Sequence, residues 1–332
     1  MSGLEGGSFR SLLAPLDTTP FGEHALPLAL AVARKTGATL HLVHAHAPAP
    51  VPITEEAETG VTLPDPSLER ALAQRDEGYL EELRGRLGKT GVPVESALVQ
   101  GPVVVALGEY ASRAATDLVV MSTHARSGLR RLFHENTADA LLRHFDLPIL
   151  LVHPGEEEEP DFATEAPLRH VLVPLDGSSA AERILAPVVR LAEAFSARVT
   201  LLGVVRPSVA AGKILPDEAA PDDRELMKRE ASEALRYLER VATTIGSRGV
   251  VVEARVSVRE DTDDAILGFA QRLPEVEGEE PAPEVDLIAM ETHARKGLSR
   301  LLEGSVAGAV LRKSPVPVLL HHGAGQVASQ EK

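Results

Sequence analysis

Short aliphatic runs alternate with amphipathic stretches along most of this chain. In the first half, LLAPLD (12–17) has the make-up of a strand buried on both faces of a parallel sheet. Thr19 stands at an N-cap position with Pro20 first in the helix, so a helix is predicted from there to about Gly37. TLHLVHAH (39–46) reads as a strand. SLERALAQRDEGYLEELRGRL (67–87) reads as an amphipathic, core-facing helix ended by Gly91-Val92-Pro93. VESALVQG is then a strand, VVVALGEYASRAA a helix and DLVVMS a strand; a loop leads to a helix over about 136–145, and PILLV is a fifth strand. Helices between successive strands require crossover connections, hence a parallel sheet covered on both faces.

The pattern then begins again. LLAPLD returns as VLVPLD (171–176), and DLVVMSTHARSGLRRL from Asp117 returns as DLIAMETHARKGLSRL from Asp286. LPILLVHP from Leu147 has its counterpart in VPVLLHH from Val316. Matches in the same order at similar separations indicate duplication of a whole domain. The expected fold is therefore α/β: two tandem five-stranded parallel-sheet domains, over residues 8–154 and 168–322, with helices on both faces. Residues 155–167 form a linker whose four consecutive glutamates have no apolar area to bury. Ser179 and Glu182 suggest a capping box. The second copy also carries an acidic, Pro-rich insertion at 273–285, expected to be a solvated loop.

Composition narrows the field. A length of 332 residues suits two domains. A net charge of −15, from 49 acidic and 34 basic residues, opposes nucleic acid and anionic membrane as partners. The absence of Cys excludes disulfides, thiolate metal sites and Cys nucleophiles. With no signal-peptide pattern and no apolar run of about 18 residues, a soluble, cytoplasmic protein is expected.

Open parallel sheets bind ligands beyond the carboxyl ends of their strands, where the topology switches direction. That singles out Asp17, His44 to His46, Gly101 and the loop after Met121. In the second half it singles out Asp176, Gly203 to Val205, Arg259 and the loop after Met290. At those positions stand an Asp after the first strand and, behind each D-L-[VI]-x-M strand, STHARSGLRRL or ETHARKGLSRL. On these residues both halves resemble the universal stress protein family.

The resemblance implies a non-enzymatic stress-response protein, and it implies ATP, with Mg²⁺, in the crevice of a subset of members. Carried over by position, Asp17 and Asp176 match the adenine contact, and Ala45 and Val204 the apolar contact on the second strand. Gly101 matches the glycine near the ribose, where the second half has Arg259. The resemblance further implies that the last strands of the two halves pair antiparallel, 148–152 against 316–320, as an intramolecular pseudo-dimer that covers aliphatic edges.

The family's phosphate loop, G-x-x-G, nine residues, then G-[ST], is edited here. Its first glycine is Ser122 or Glu291 and its second is Ala125 or Ala294. Its last pair is Glu135-Asn136 in the first half but Gly304-Ser305 in the second. Glycine serves such loops because a backbone without Cβ approaches phosphate closely, and the following helix start offers unpaired N–H groups. A carboxylate at Glu135 can take those groups and repel a charged tail, so if ATP binds at all it is expected in the second half, where Glu291 and the missing glycine at 294 still count against it. There Arg295, Lys296 or a Mg²⁺ on Glu291 could offset that acid; otherwise these are solvated loop charges.

In the repeated Thr-His-Ala-Arg, Thr292 and His293 are either anion-binding residues or braces of the loop. The rival functions are a nucleotide-free interaction protein and a weak ATP hydrolase, but no catalytic residue can be named. Of His41, His44 and His46, strand alternation puts only the last two on one face. A metal would need a third ligand from elsewhere, such as His124; packing or crevice lining is the expectation, with no metal.

Overall fold

The computed structural model describes residues 7–46, 66–123, 137–154, 160–163, 166–207, 221–271, 284–292 and 305–323. The first half runs β1 (Ser11–Leu16), α1 (Pro20–Glu23), α2 (Leu26–Thr36), β2 (Thr39–His46), α3 (Pro66–Leu87), β3 (Val94–Gln100), α4 (Val103–Arg113), β4 (Leu118–Ser122), α5 (Thr137–His144) and β5 (Ile149–Val152). The second runs β6 (His170–Pro174), α6 (Leu185–Phe195), β7 (Arg198–Val205), α7 (Pro221–Gly246), β8 (Val252–Val258), α8 (Thr262–Ala270), β9 (Leu287–Glu291), α9 (Val306–Lys313) and β10 (Val318–His321).

Among the described residues, ten strands join one sheet in the order β3-β2-β1-β4-β5-β10-β9-β6-β7-β8. Within each half the ladders are parallel. The halves meet through a single antiparallel ladder, with Val318 opposite Leu151, Leu319 opposite Leu150 and Leu320 opposite Ile149. The expected pairing of the last strands is thus present, and two domains in this arrangement fit a pseudo-dimer.

Strand alternation divides the core into two layers. Leu12, Ala14, Leu40 and Leu42 point to one face and pack with Leu26 and Leu30 of α2, Leu83 and Leu87 of α3, Val188 of α6 and Leu238 of α7. Leu13 and Val43 point to the other, with Leu107 of α4, Leu141 of α5, Ile266 of α8 and Val310 of α9. Both layers run across the junction, since Leu150 and Leu319 belong to the first and Leu151 and Leu320 to the second. Each fully buried Leu contributes roughly 1.5–3 kcal/mol relative to an exposed one. A further tie crosses between the halves: Arg190 Nη2 lies 2.9 Å from Asp117 Oδ2, and its guanidinium sits 3.7 Å from the centre of the Phe9 ring.

Local details depart from the sequence reading. The helix after β1 is broken into α1 and α2. Thr19 holds the N-cap position, but its hydroxyl is taken by Asp17 and does not cap. Gly37 ends α2 at φ 73°, as expected. The capping box at Ser179 and Glu182 does not form. Ser178 Oγ accepts from the Ala181 N–H (3.1 Å) at a short 3₁₀ turn, Ala181–Ile184, while Glu182 is drawn off to the Tyr237 hydroxyl (3.0 Å). The linker also has an apolar foothold, because Phe162 packs on the core with Arg86 5.0 Å from its ring centre. Its glutamates at 156–159, and residues 272–283 of the insertion region, lie outside the described residues. No described helix is long and apolar enough to cross a membrane.

Candidate functional site

The order of strands places a switch point between β1 and β4 and another between β6 and β9. At the first, Asp17 follows β1 and its Oδ1 accepts from the Thr19 N–H (3.1 Å) and hydroxyl (2.7 Å). Gly22 approaches this carboxylate so closely that a Cβ there would lie 2.8 Å from Oδ1. Ala45 is partly buried on the α4–α5 side of the sheet. Gly101 adopts φ +119°, which glycine alone adopts readily, and its N–H donates to the His46 carbonyl (3.3 Å). Arg259 makes the corresponding bond to the Val205 carbonyl (3.1 Å) with φ outside the left-handed region.

The second switch point repeats this frame. Asp176 Oδ1 accepts from the Ser178 N–H (2.9 Å), and Val204 packs on the α8–α9 side as Ala45 does on its own. Each half pins its long helix with the same bond, Tyr79 to Glu23 (3.1 Å) and Tyr237 to Glu182 (3.0 Å). Burial first, then the adjacent carboxylates, push both phenols far above their ordinary range.

Glu291 corrects the sequence reading. It stands where the phosphate loop's first glycine would, yet it is no solvated charge, because its side chain is fully buried. Oε1 accepts from Arg183 Nε (3.0 Å), Arg183 Nη2 (2.8 Å) and the Gly323 N–H (2.9 Å), and Oε2 pairs with His321 Nδ1 (2.8 Å). Burial pushes this carboxyl up. The His321 and Gly323 hydrogen bonds, with Arg183, outweigh it and hold the group below the usual carboxylate range. Gly323 is required beside it, since a Cβ there would run into the Arg183 guanidinium.

Thr292, 2% exposed, ties the end of β9 to the segment after β10. Its N–H donates to the His321 carbonyl (2.8 Å), its hydroxyl reaches the same carbonyl (3.3 Å), and its own carbonyl lies 3.0 Å from His322 Nδ1. Ser305 is the N-cap of α9 and accepts from the Gly308 N–H (3.0 Å). His293 and Gly304 lie outside the described residues, as do His124 to Arg126, Glu135, Asn136 and Ala294 to Lys296.

The histidines of β2 divide as alternation requires. His41 meets the Tyr110 hydroxyl (3.1 Å) on the α4 side, where burial lowers its pKa against the pull of Glu95. His44 and His46 face α3 and meet Asp76, with Glu69 behind. Asp76 escaped sequence reasoning, since helical spacing shows which face of α3 is apolar but not which residue crosses the end of β2.

The model of the Universal stress protein family matches residues 8–153 and 167–322. A universal stress protein of Methanocaldococcus jannaschii is 30% identical over 154 residues, covering 46% of this chain and 81% of that protein. One from Mycobacterium bovis is 29% identical over 240 residues, 68% of each. The crystal structure of a universal stress protein from Archaeoglobus fulgidus superposes with a TM-score of 0.63 at 16% identity, covering 94% of this chain and 98% of that one, which shows the fold.

Proposed function

This chain belongs to the universal stress protein family, and from that premise we propose a stress-response protein whose second domain binds ATP, with Mg²⁺, without hydrolysing it. The reading is supported above all by Glu291. At a position where a free carboxylate would repel the nucleotide's phosphates, its charge is already engaged by Arg183, His321 and the Gly323 N–H. The residue that replaces the loop's first glycine is therefore no electrostatic obstacle. On this reading Asp176 and Val204 hold the adenine, while His293, Gly304 and Ser305 hold the phosphates at the start of α9. Thr292 braces the loop from beneath. The first domain keeps Asp17, Ala45 and Gly101 but has Glu135-Asn136 where the terminal phosphates would sit, and it is assigned no ATP. The protein is assigned to the cytoplasm, with neither nucleic acid nor membrane as partner.

Thermal denaturation with and without Mg-ATP tests this. A ligand at 100 times its Kd stabilises its domain by about 2.7 kcal/mol. Asp176→Ala should abolish the shift and Asp17→Ala should preserve it. Equal loss from both substitutions would refute the asymmetry. No shift in the unmodified protein would favour a nucleotide-free interaction protein. ADP accumulating on long incubation would contradict the non-catalytic reading.

A further inference from the structure

We propose that the first half carries a binding site for a divalent first-row metal ion, of which Zn²⁺ is the type, formed by His44, His46 and Asp76. The site lies in the opposite half from the proposed nucleotide and does not depend on that reading.

His44 and His46 project from the same face at the end of β2, beneath α3. Asp76 Oδ2 lies 3.5 Å from His44 Nε2 and 2.8 Å from His46 Nδ1, and the three donor atoms all fall within 4.8 Å of one another. Ligands at about 2.0–2.1 Å around tetrahedral Zn²⁺ stand roughly 3.4 Å apart, so modest side-chain rotation closes the set. The three side chains are 16%, 10% and 13% exposed, enough for an ion to enter.

The far side of each ring is the stronger indication. His44 Nδ1 lies 2.7 Å from the Leu16 carbonyl, which only accepts, so that nitrogen carries a hydrogen and Nε2, 3.5 Å from Asp76, is the nitrogen a metal would take in place of a proton. His46 uses the other nitrogen. Its Nε2 lies 3.3 Å from Glu69 Oε2, which leaves Nδ1 to face the same point. Each imidazole is thus oriented by an oxygen acceptor behind it, as metal-bound histidines are. Two imidazole nitrogens and one carboxylate, with no thiolate, suit Zn²⁺ and its first-row neighbours and leave coordination positions for water or a further ligand.

The duplicate supplies an internal comparison. With Tyr79 and Tyr237 as landmarks, Asp76 corresponds to Ala234 and Glu69 to Met227; on the strands, His44 and His46 correspond to Gly203 and Val205. There the same helix-on-strand contact is apolar. A Cβ on Gly203 would lie 3.1 Å from Leu238 Cδ1 and 3.8 Å from Ala234 Cβ, and Met227 and Val205 are buried. The fold therefore docks this helix without a polar group, and a buried ion pair contributes little net stability over a well-packed apolar replacement in many proteins. A ligand accounts for all four replacements together.

The full chain, stripped with chelator, should bind one Zn²⁺ by titration calorimetry and, loaded with Co²⁺, show a visible ligand-field band. Asp76→Ala and His46→Val copy the duplicate and should keep the far-UV dichroism of the parent. Each should lose at least about 100-fold in Zn²⁺ affinity together with the Co²⁺ band. Glu69→Gln touches no metal but orients His46; it should keep one site per chain with affinity reduced about 10–100-fold. Glu291→Gln should change nothing in this titration. No binding by the parent chain, or undiminished binding by whichever of the Asp76 and His46 variants is folded, would overturn the proposal.

Discussion

Glu291→Gln isolates one buried charge with little change of shape. The carboxylate receives four hydrogen bonds, two from Arg183 and one each from Gly323 and His321. Hydrogen bonds to charged groups contribute about 1.5–3 kcal/mol each when a partner is deleted. The amide keeps one accepting oxygen, so Gly323 and Arg183 lose charge assistance rather than their partner, and only the His321 side must reverse donor and acceptor. Arg183 is 40% exposed, and water screens its share. The expected cost is therefore about 2–3 kcal/mol at neutral pH. Because the folded protein holds this carboxyl below its usual range, its contribution is present above the unfolded-state pKa and lost as pH falls through the lower folded value. Gln resembles the protonated acid, so the two proteins should converge in stability as the carboxyl protonates. Denaturant titrations at steps from pH 7 down past the ordinary carboxyl value of 4.5 and on through the lower folded one would measure this. A difference that stays constant with pH, or is under about 0.5 kcal/mol at pH 7, would refute the account.

Arg190→Ala removes both the Asp117 ion pair and the stacking on Phe9. It should cost about 1–3 kcal/mol in denaturant unfolding, with Arg190→Lys recovering only part because an ammonium cannot stack as a planar guanidinium does. Leu319→Ala empties a wholly buried position opposite Leu150 at the junction. A loss of about 2–5 kcal/mol is expected, and a single cooperative transition should split as the halves lose their shared core; an unaltered midpoint would contradict the continuous core. Gly101→Ala forces an L-residue to φ +119° and should lower stability by about 1–3 kcal/mol, whereas a glycine replaced at Gly78, in exposed α3 surroundings, should not.

The parts of this structure legible in the sequence are those set by local period and by repetition. β2 was expected over 39–46 and lies at Thr39–His46, because eight alternating residues between a glycine and a Pro-rich segment leave little choice. The β5–β10 pairing followed from the family resemblance and from two aliphatic runs in matching places. What escaped was long-range partnership. Glu291 read as a loop charge because Arg183 and His321, which neutralise it, come from a 3₁₀ turn and a strand end remote in sequence. Asp76 looked like one more polar residue on an amphipathic helix, and only the crossing of α3 over β2 gives it His44 and His46. The failed capping box has the same origin, since Tyr237, from α7, outcompetes the local N–H for Glu182.

Joining the halves into one sheet also frees them from each other. When two copies of one chain associate about a two-fold axis, every substitution at the contact appears twice and must suit itself. Here the partner is covalently attached, so the position equivalent to Arg190 can remain Ala31, and a histidine–aspartate cluster in one half can coexist with its glycine–alanine counterpart in the other. Tethering turns a symmetric assembly into two separately evolvable lobes on a common frame, each able to acquire chemistry that would burden its twin.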